Sequence, residues 1–357
     1  MHNGQIINAL QCLGARLNPG NDNRKGGAGP AEGTCILIGG VAVNVPCSAA
    51  YVNRSPYAIR ERGGRPTLFK NGKAVTAVSP VPAAGFYDCR TSDDIRMKKI
   101  ALLHGKDCLA STVIQKCVYW NSKNRCKFCG IELSLQAGAT LALKTPRQLA
   151  ETAKKARETN KIKHLVLTNG AVNPSRRGIA YIADCVRQIK KQVNIPVHVQ
   201  IEPPEDAAEL EEFKDAGLDT IGLHIESFDM DILARIAPAK AAFGLKRYES
   251  AWRKAVQLFG PNQVSTFLIA GLGERMESIV DAARFLGQAG VYPFLVPFRP
   301  IPGTAMADKT PPDPDAMLFL YEKVSDINQQ NGMSSRQSRA GCVRCGACSA
   351  LAEFEKW

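Results

Sequence analysis

Three cysteines stand together near the middle of the chain, Cys117, Cys126 and Cys129, with Phe128 directly before the last. Eight residues separate the first pair and two the second. A 4Fe–4S cube takes one protein thiolate on each of its four irons, so three grouped cysteines leave one iron open to a small molecule. That is a reactive arrangement rather than a storage one. Half of a zinc site and a set of core thiols are the alternative readings. A second group, Cys342, Cys345 and Cys348, is spaced two and two near the end. It reads as an auxiliary iron–sulfur site short of one ligand, for which Cys47, Cys89, Cys108 or a substrate are candidates. A zinc site, a redox dithiol and a tail that orders only on a partner are its alternatives. Arg336 and Arg339, just upstream, are placed in sequence to offset thiolate charge. Cys12, Cys35 and Cys185 lie in apolar surroundings and read as buried bystanders, and His104, His164 and His198 as core or rim residues.

The elements that must position these groups come in two textures. Residues 1–99 form a β-rich lobe, with a Gly/Asn-rich tract from Asn18 to Gly33 expected as a loop. Within the lobe, Asn71-Gly72 between two apolar runs signals a hairpin. From residue 100 to 310, strands and helices alternate. Strands are expected over Leu109–Cys117, His164–Thr168, Val197–Ile201, Thr220–Ile225, Gln263–Ile269 and Phe294–Pro297. Helices fall between them, among them Pro146–Thr159 with Thr145 as N-cap and Tyr248–Phe259 after a longer connection, and Asp313 caps a last helix from Pro314 to Asn328. About six strand–helix units predict an α/β fold, a parallel sheet curled into a partial (β/α)6 barrel. Residues 311–357 are left as a C-terminal helix and a Cys-rich tail.

Chemistry in such barrels gathers at the C-terminal ends of the strands. The cysteine loop follows the first strand, Asn169-Gly170 the second, Glu202 the third, His224 and Glu226 the fourth, Gly271 to Glu274 the fifth, and Arg299 the sixth. Acids within apolar strand texture, as in Val199-Gln200-Ile201-Glu202, argue for a site there rather than for ordinary polar loops.

Composition bounds the rest. At 357 residues and 45% hydrophobic, the chain can bury a large core, and no run approaches the roughly 18 apolar residues of a membrane span. The start carries no charged-then-apolar signal segment, so a cytoplasmic location is expected, with the 12 cysteines as thiols or metal ligands. The net charge of +13 is dispersed and no aromatic-interleaved basic stripe stands out, which disfavours nucleic acid as partner. It suits a small substrate bearing phosphate or carboxylate, with Arg299 and Lys240 as candidate holders.

The turn Cys126-Lys127-Phe128-Cys129, the barrel rhythm and the polar strand ends resemble the radical S-adenosylmethionine (SAM) enzymes of the biotin synthase and lipoyl synthase type. The segment Lys99 to Gly105, the tail Gly341 to Cys348 and the eight-residue gap resemble more closely a bacterial radical SAM family encoded in nitrilase gene clusters. The common first spacing of the superfamily is three residues, so the gap here departs from it. The resemblance implies a 4Fe–4S cluster on Cys117, Cys126 and Cys129, with SAM on its open iron and a reductant such as flavodoxin or ferredoxin. It also implies cofactor contacts from Phe128, Asn169, Gly170, Glu202, His224, Glu226, Gly271 and Gly273, and a cation among Arg235, Lys240 and Lys246 for the SAM carboxylate. The nitrilase neighbourhood implies a nitrogen-containing substrate. RNA or peptide modification, and a zinc-stabilised binding protein without catalysis, are the rival readings.

Overall fold

A computed structural model of the protein describes residues 3–17 and 33–355, so nearly all of the expected Gly/Asn-rich loop lies outside the described residues. Six parallel strands form the central sheet: β1 (Cys108–Ile114), β2 (His164–Asn169), β3 (Val197–Ile201), β4 (Thr220–Leu223), β5 (Val264–Ala270) and β6 (Val291–Pro297). They lie side by side in chain order, and the short strand Leu102–His104 adds antiparallel to β1 at the edge. The sheet curls into a half-barrel, the expected partial (β/α)6 architecture.

Period-2 alternation divides each strand between two environments. Cys108, Ala110 and Thr112 of β1 and Val166 and Thr168 of β2 face the barrel interior. Leu109, Val113, Leu165 and Leu167 belong to the main apolar core. Both faces are therefore covered, as a parallel sheet requires. Helix Pro146–Asn160 starts at a complete capping box: Gln148 N–H donates to the Thr145 hydroxyl and Thr145 N–H to the Gln148 side chain. Asp313 caps helix Pro314–Gln330 by accepting from Asp315 and Ala316 N–H.

Three elements were not legible. Helix Asn3–Leu13, whose apolar run is short, packs against strand Val41–Pro46 and helix Pro314–Gln330. Helix Met230–Ile236 follows β4, and helix Pro238–Phe259 begins ten residues before its expected start at Tyr248. Gly244 (φ +71°) breaks that helix, and the break made its first turns look like a connection. The lobe ahead of the barrel has two small sheets, one antiparallel and one mixed, in which Arg16–Leu17 pairs parallel with Tyr57–Arg62. Asn71 and Gly72 join Arg65–Lys70 to Lys73–Ala77, both with the positive φ that a type I′ turn needs.

Past Gln330 the chain returns beneath the barrel. Asn262 and Ser334 exchange two hydrogen bonds, Ser335 N–H donates to Glu355, and Phe354 stacks on Tyr321. The tail is thus ordered by its own chain. Its helix Gly341–Cys345 packs against β2, β3, β4 and β6.

Candidate active site

The half-barrel encloses a cavity of about 440 Å³, and all six grouped cysteines line it. Cys117, Cys126 and Cys129 border it from the loop after β1, at the C-terminal rim. The eight residues between the first two are taken up by successive turns, closed by N–H donation from Trp120 to Cys117, Ser122 to Tyr119 and Arg125 to Ser122. The Arg125 guanidinium lies 3.4 Å over the Trp120 ring and donates to the Cys129 carbonyl, so the longer loop returns Cys126 beside its partners. Cys117 N–H donates to Glu132, and Val118 N–H to Ala171 at the end of β2. Burial raises all three thiols, Cys129 to about 11. Thiols in that state surrender their protons on binding metal.

Among the described residues, no three His, Cys, Asp or Glu side chains close on a point that one metal ion could occupy. A cube is held at separate irons, so its ligands stand farther apart than those of one ion. The donor set and its surroundings fit such a cluster with a polar ligand beside it. Gly170 N–H donates to the Ile114 carbonyl, and a Cβ there would lie 2.1 Å from the Lys116 carbonyl oxygen, so only glycine lets β2 pass the cysteine loop. Asn169 Oδ1 is buried with no protein partner. Phe128, Asn169, Gly170, Glu202, His224 and Glu226 all border the cavity.

Glu226 has φ +69°, a conformation uncommon outside glycine and concentrated at functional sites. Its N–H and C=O pair with Phe267 and Ile269 of β5, which fix the strained residue. Its carboxylate accepts from Lys240 Nζ at 2.5 and 2.7 Å, and Lys240 also donates to the His224 carbonyl. Burial works against the Lys240 charge, but Glu226 outweighs it and holds the ammonium protonated. Burial raises Glu202 despite Lys240. His224 Nδ1 accepts from Phe267 N–H, and burial keeps this imidazole neutral.

Four expected site residues stand elsewhere. Arg235 and Lys246 are exposed on their helices and do not border the cavity; the cation that reaches it is Lys240. Gly271 and Gly273 take positive φ in the turn after β5, where Gly271 N–H donates to Glu274, and neither lines the cavity. Arg336 and Arg339 are also exposed, Arg339 being tied to Phe259 and Gln263. Arg299 borders the cavity and donates to the Asn44 carbonyl.

The tail cysteines meet the same cavity from the other end. Gln200 Nε2 donates to Cys342 Sγ and Asn44 Nδ2 to Cys348 Sγ, each at 3.2 Å. Cys345 packs on the cluster of Cys108, the first residue of β1, with Ala110 and Val166. Sequence reasoning named Cys108 only as one of several candidates, because the turn that brings it under the tail is a tertiary feature. Cys12 and Cys185 are buried, and burial lifts each to about 12. Cys35 is only half-buried and lies within electrostatic reach of Cys345 and Cys348.

A cysteine loop on the C-terminal rim of a parallel half-barrel faces a cavity with buried charges, an arrangement suited to an enzyme site that holds a thiolate-bound cluster. The model of the radical SAM superfamily matches residues 122–286, a little under half of the chain, so this part of the chain is similar to radical SAM domains. The match includes Cys126 and Cys129 and begins after Cys117. A bacteriochlorophyllide c C-7(1)-hydroxylase from Chlorobaculum limnaeum is 30% identical over 228 residues, 58% of this chain and 56% of the relative. The chain thus aligns with little more than half of that protein's length. Crystalline methylornithine synthase superposes with a TM-score of 0.50 at 16% identity, covering 70% of each chain, a likeness of fold. These matches support an enzyme of the radical SAM superfamily, which implies a 4Fe–4S cluster, SAM and a reductant. The links to biotin and lipoyl synthases in particular and to nitrilase gene clusters are not among these findings. No helix of the described residues is long and apolar enough to cross a membrane.

Proposed function

We propose that the protein uses a 4Fe–4S cluster on Cys117, Cys126 and Cys129 to cleave SAM and abstract hydrogen from a small metabolite. The observation that carries this reading is the meeting of that triad with Asn169, Glu202 and the Glu226–Lys240 pair on one rim of one cavity. When bound, cluster and SAM supply a 5′-deoxyadenosyl radical. The chain's own residues bind and orient. Glu226 and Glu202 offer carboxylate oxygens to hydroxyl or ammonium groups of a ligand. Lys240 offers its ammonium to a carboxylate, and Asn169 its unpartnered Oδ1 to a donor. Gly170 admits close backbone approach, while Phe128, Phe267 and Ile269 keep water out.

A volume of about 440 Å³ must take both the nucleoside and the reacting part of the substrate, which favours a small metabolite over RNA or a peptide. A nitrogen-containing substrate rests on the nitrilase-cluster resemblance. The hydroxylase relative supports a reaction that begins by breaking a C–H bond. The tail cysteines are read as an auxiliary iron–sulfur site, supported by their place on the cavity.

The test is anaerobic reconstitution with iron and sulfide, reduction, and addition of SAM. Formation of 5′-deoxyadenosine in the wild type and its loss in Cys126→Ala is the expected result. Equal product from Cys126→Ala, or zinc in place of iron, would overturn the reading.

A further inference from the structure

The tail triad lies against a fourth cysteine that the fold, not the sequence, delivers. Strand Leu102–His104 turns back into β1 through Gly105, Lys106 and Asp107, which sets Cys108 at the base of the barrel. Cys108 is 2% exposed, borders the cavity, donates to the Leu109 carbonyl at 3.8 Å and shares with Ala110 and Val166 the apolar cluster on which Cys345 packs. Gly105 belongs to the same arrangement: at φ +56° a Cβ on it would lie 2.9 Å from Cys345 Sγ. From the other side Gly341, φ +94°, is seated on the His198 ring, where a Cβ would approach within 2.7 Å, and its N–H donates to His164 Nδ1. Glycine at 105 and 341 thus lets the tail helix sit close to the turn that leads into Cys108 and to His198.

The remaining thiols are placed otherwise. Cys12, Cys47 and Cys89 donate to Asn8 Oδ1, the Val45 carbonyl and the Gly85 carbonyl respectively. Cys35 faces the separate recess lined by Gly33, Tyr87 and Gly105 and does not border the main cavity. His104 also borders the cavity, so a variant of it is the control that separates it from Cys108.

We propose that Cys108 is the fourth ligand of a four-cysteine cluster completed by Cys342, Cys345 and Cys348 at the base of the barrel. The assignment rests on the iron–sulfur reading of the tail. Four thiolates fill the protein position of each iron in a cube, so this centre, unlike the rim cluster, leaves no iron for substrate or SAM. Gln200 and Asn44 then act as neutral N–H donors to ligand sulfurs, the kind of contact that tunes a cluster's potential.

The experiment uses the full chain carrying Cys117→Ala, Cys126→Ala and Cys129→Ala, so that only the tail can hold iron. After reconstitution this background should contain about four irons per chain, one cube, with the EPR signal of a reduced cubane. Adding Cys108→Ala should drop the iron by a quarter or more, leaving a three-iron signal or none, with unchanged circular dichroism. Cys108→Ser, whose oxygen can replace the thiolate, should keep the iron but shift the EPR spectrum. Cys35→Ala and His104→Ala should leave iron and spectrum unchanged. Retention of four irons and an unaltered spectrum in Cys108→Ala would overturn the assignment, and loss in Cys35→Ala instead would transfer it to Cys35. No iron or sulfide in the starting background would remove the auxiliary-cluster reading itself, a failure distinct from that of Cys108.

Discussion

The two cysteine groups share one cavity but sit in opposite surroundings. The rim triad hangs on a loop made of turns, beside buried charges: Glu202, Glu226 and Lys240. Cys342 and Cys345 of the basal triad sit on a short helix and Cys348 in the turn after it, touched by neutral donors from Gln200 and Asn44 and close to Cys108. Charged groups around an incomplete ligand set suit a polar ligand that arrives and leaves. Neutral amides around a complete set suit a centre that stays closed. The comparison says that ligand count and local charge, rather than cysteine spacing alone, separate a reactive site from a resident one.

The sharpest way to break that contrast is to remove one thiol from each end. Cys126→Ala should abolish 5′-deoxyadenosine formation, a fall of at least ~100-fold on the scale of losing an essential catalytic group. Cys345→Ala should retain SAM cleavage while losing the iron of the basal site. Product assays and iron counts on both variants decide it, and equal loss of cleavage in the two would erase the distinction.

A smaller effect should follow at the rim from Lys240→Met. Side chains of Lys240 and Glu226 are 13% and 7% exposed, so the variant leaves a buried carboxylate without its cation. Breaking such a pair from one side costs about 3–5 kcal/mol. Denaturant midpoints should show that loss, and Lys240→Met with Glu226→Gln should recover part of it. Stability within experimental error of wild type would mean that the pair holds a ligand without holding the fold.

How much of this was legible follows from what each signal depends on. Strand order and the capped helices are local patterns: alternation in Val197–Ile201, the Thr145–Gln148 box, the Asn71-Gly72 turn. They were readable because neighbouring residues carry them. The choice of Lys240 over Arg235 and Lys246 was not, since it depends on which face of a helix broken at Gly244 turns inward. The meeting of Cys108 with Cys345, 237 positions away in the chain, is tertiary in the same sense. Gly170 is marked by its place after the second strand and Gly341 by the tail motif, but the steric reason for glycine at each was hidden, because what excludes a side chain there is backbone or an imidazole from a distant segment.

Those two glycines extend the comparison at a lower energy. Gly170→Ala drives a methyl group into the Lys116 carbonyl beside Cys117, and Gly341→Ala drives one into His198 beside Cys342. Overpacking costs about 1–3 kcal/mol at each position, with a disfavoured φ added at Gly341. Gly170→Ala should lower iron at the rim and spare the base, and Gly341→Ala should do the reverse. Iron counts that move together in both variants would show that the two ends fold as one unit.

The weakest contrast concerns acid. His164 is fully buried where it accepts from Gly341 N–H, and burial, against Asp107, lowers its pKa from 6.5 to about 4. The unfolded chain then binds a proton that the folded chain refuses, so the stability from neutral His164 is complete above about pH 6.5 and falls as pH drops toward 4. Between pH 7 and 5.5 the loss is about 1 kcal/mol. Glu202 at the rim has the opposite sign: burial raises its folded pKa above 4.5, so the cost of its charge is relieved as pH falls through that raised pKa toward 4.5. His164→Gln, which keeps an acceptor for Gly341, should therefore flatten the fall of the thermal midpoint between pH 7 and 5.5, whereas Glu202→Gln should remove a relief that grows as pH falls toward 4.5. Parallel curves for the two variants would mean that base and rim do not differ in how they bury their titratable groups.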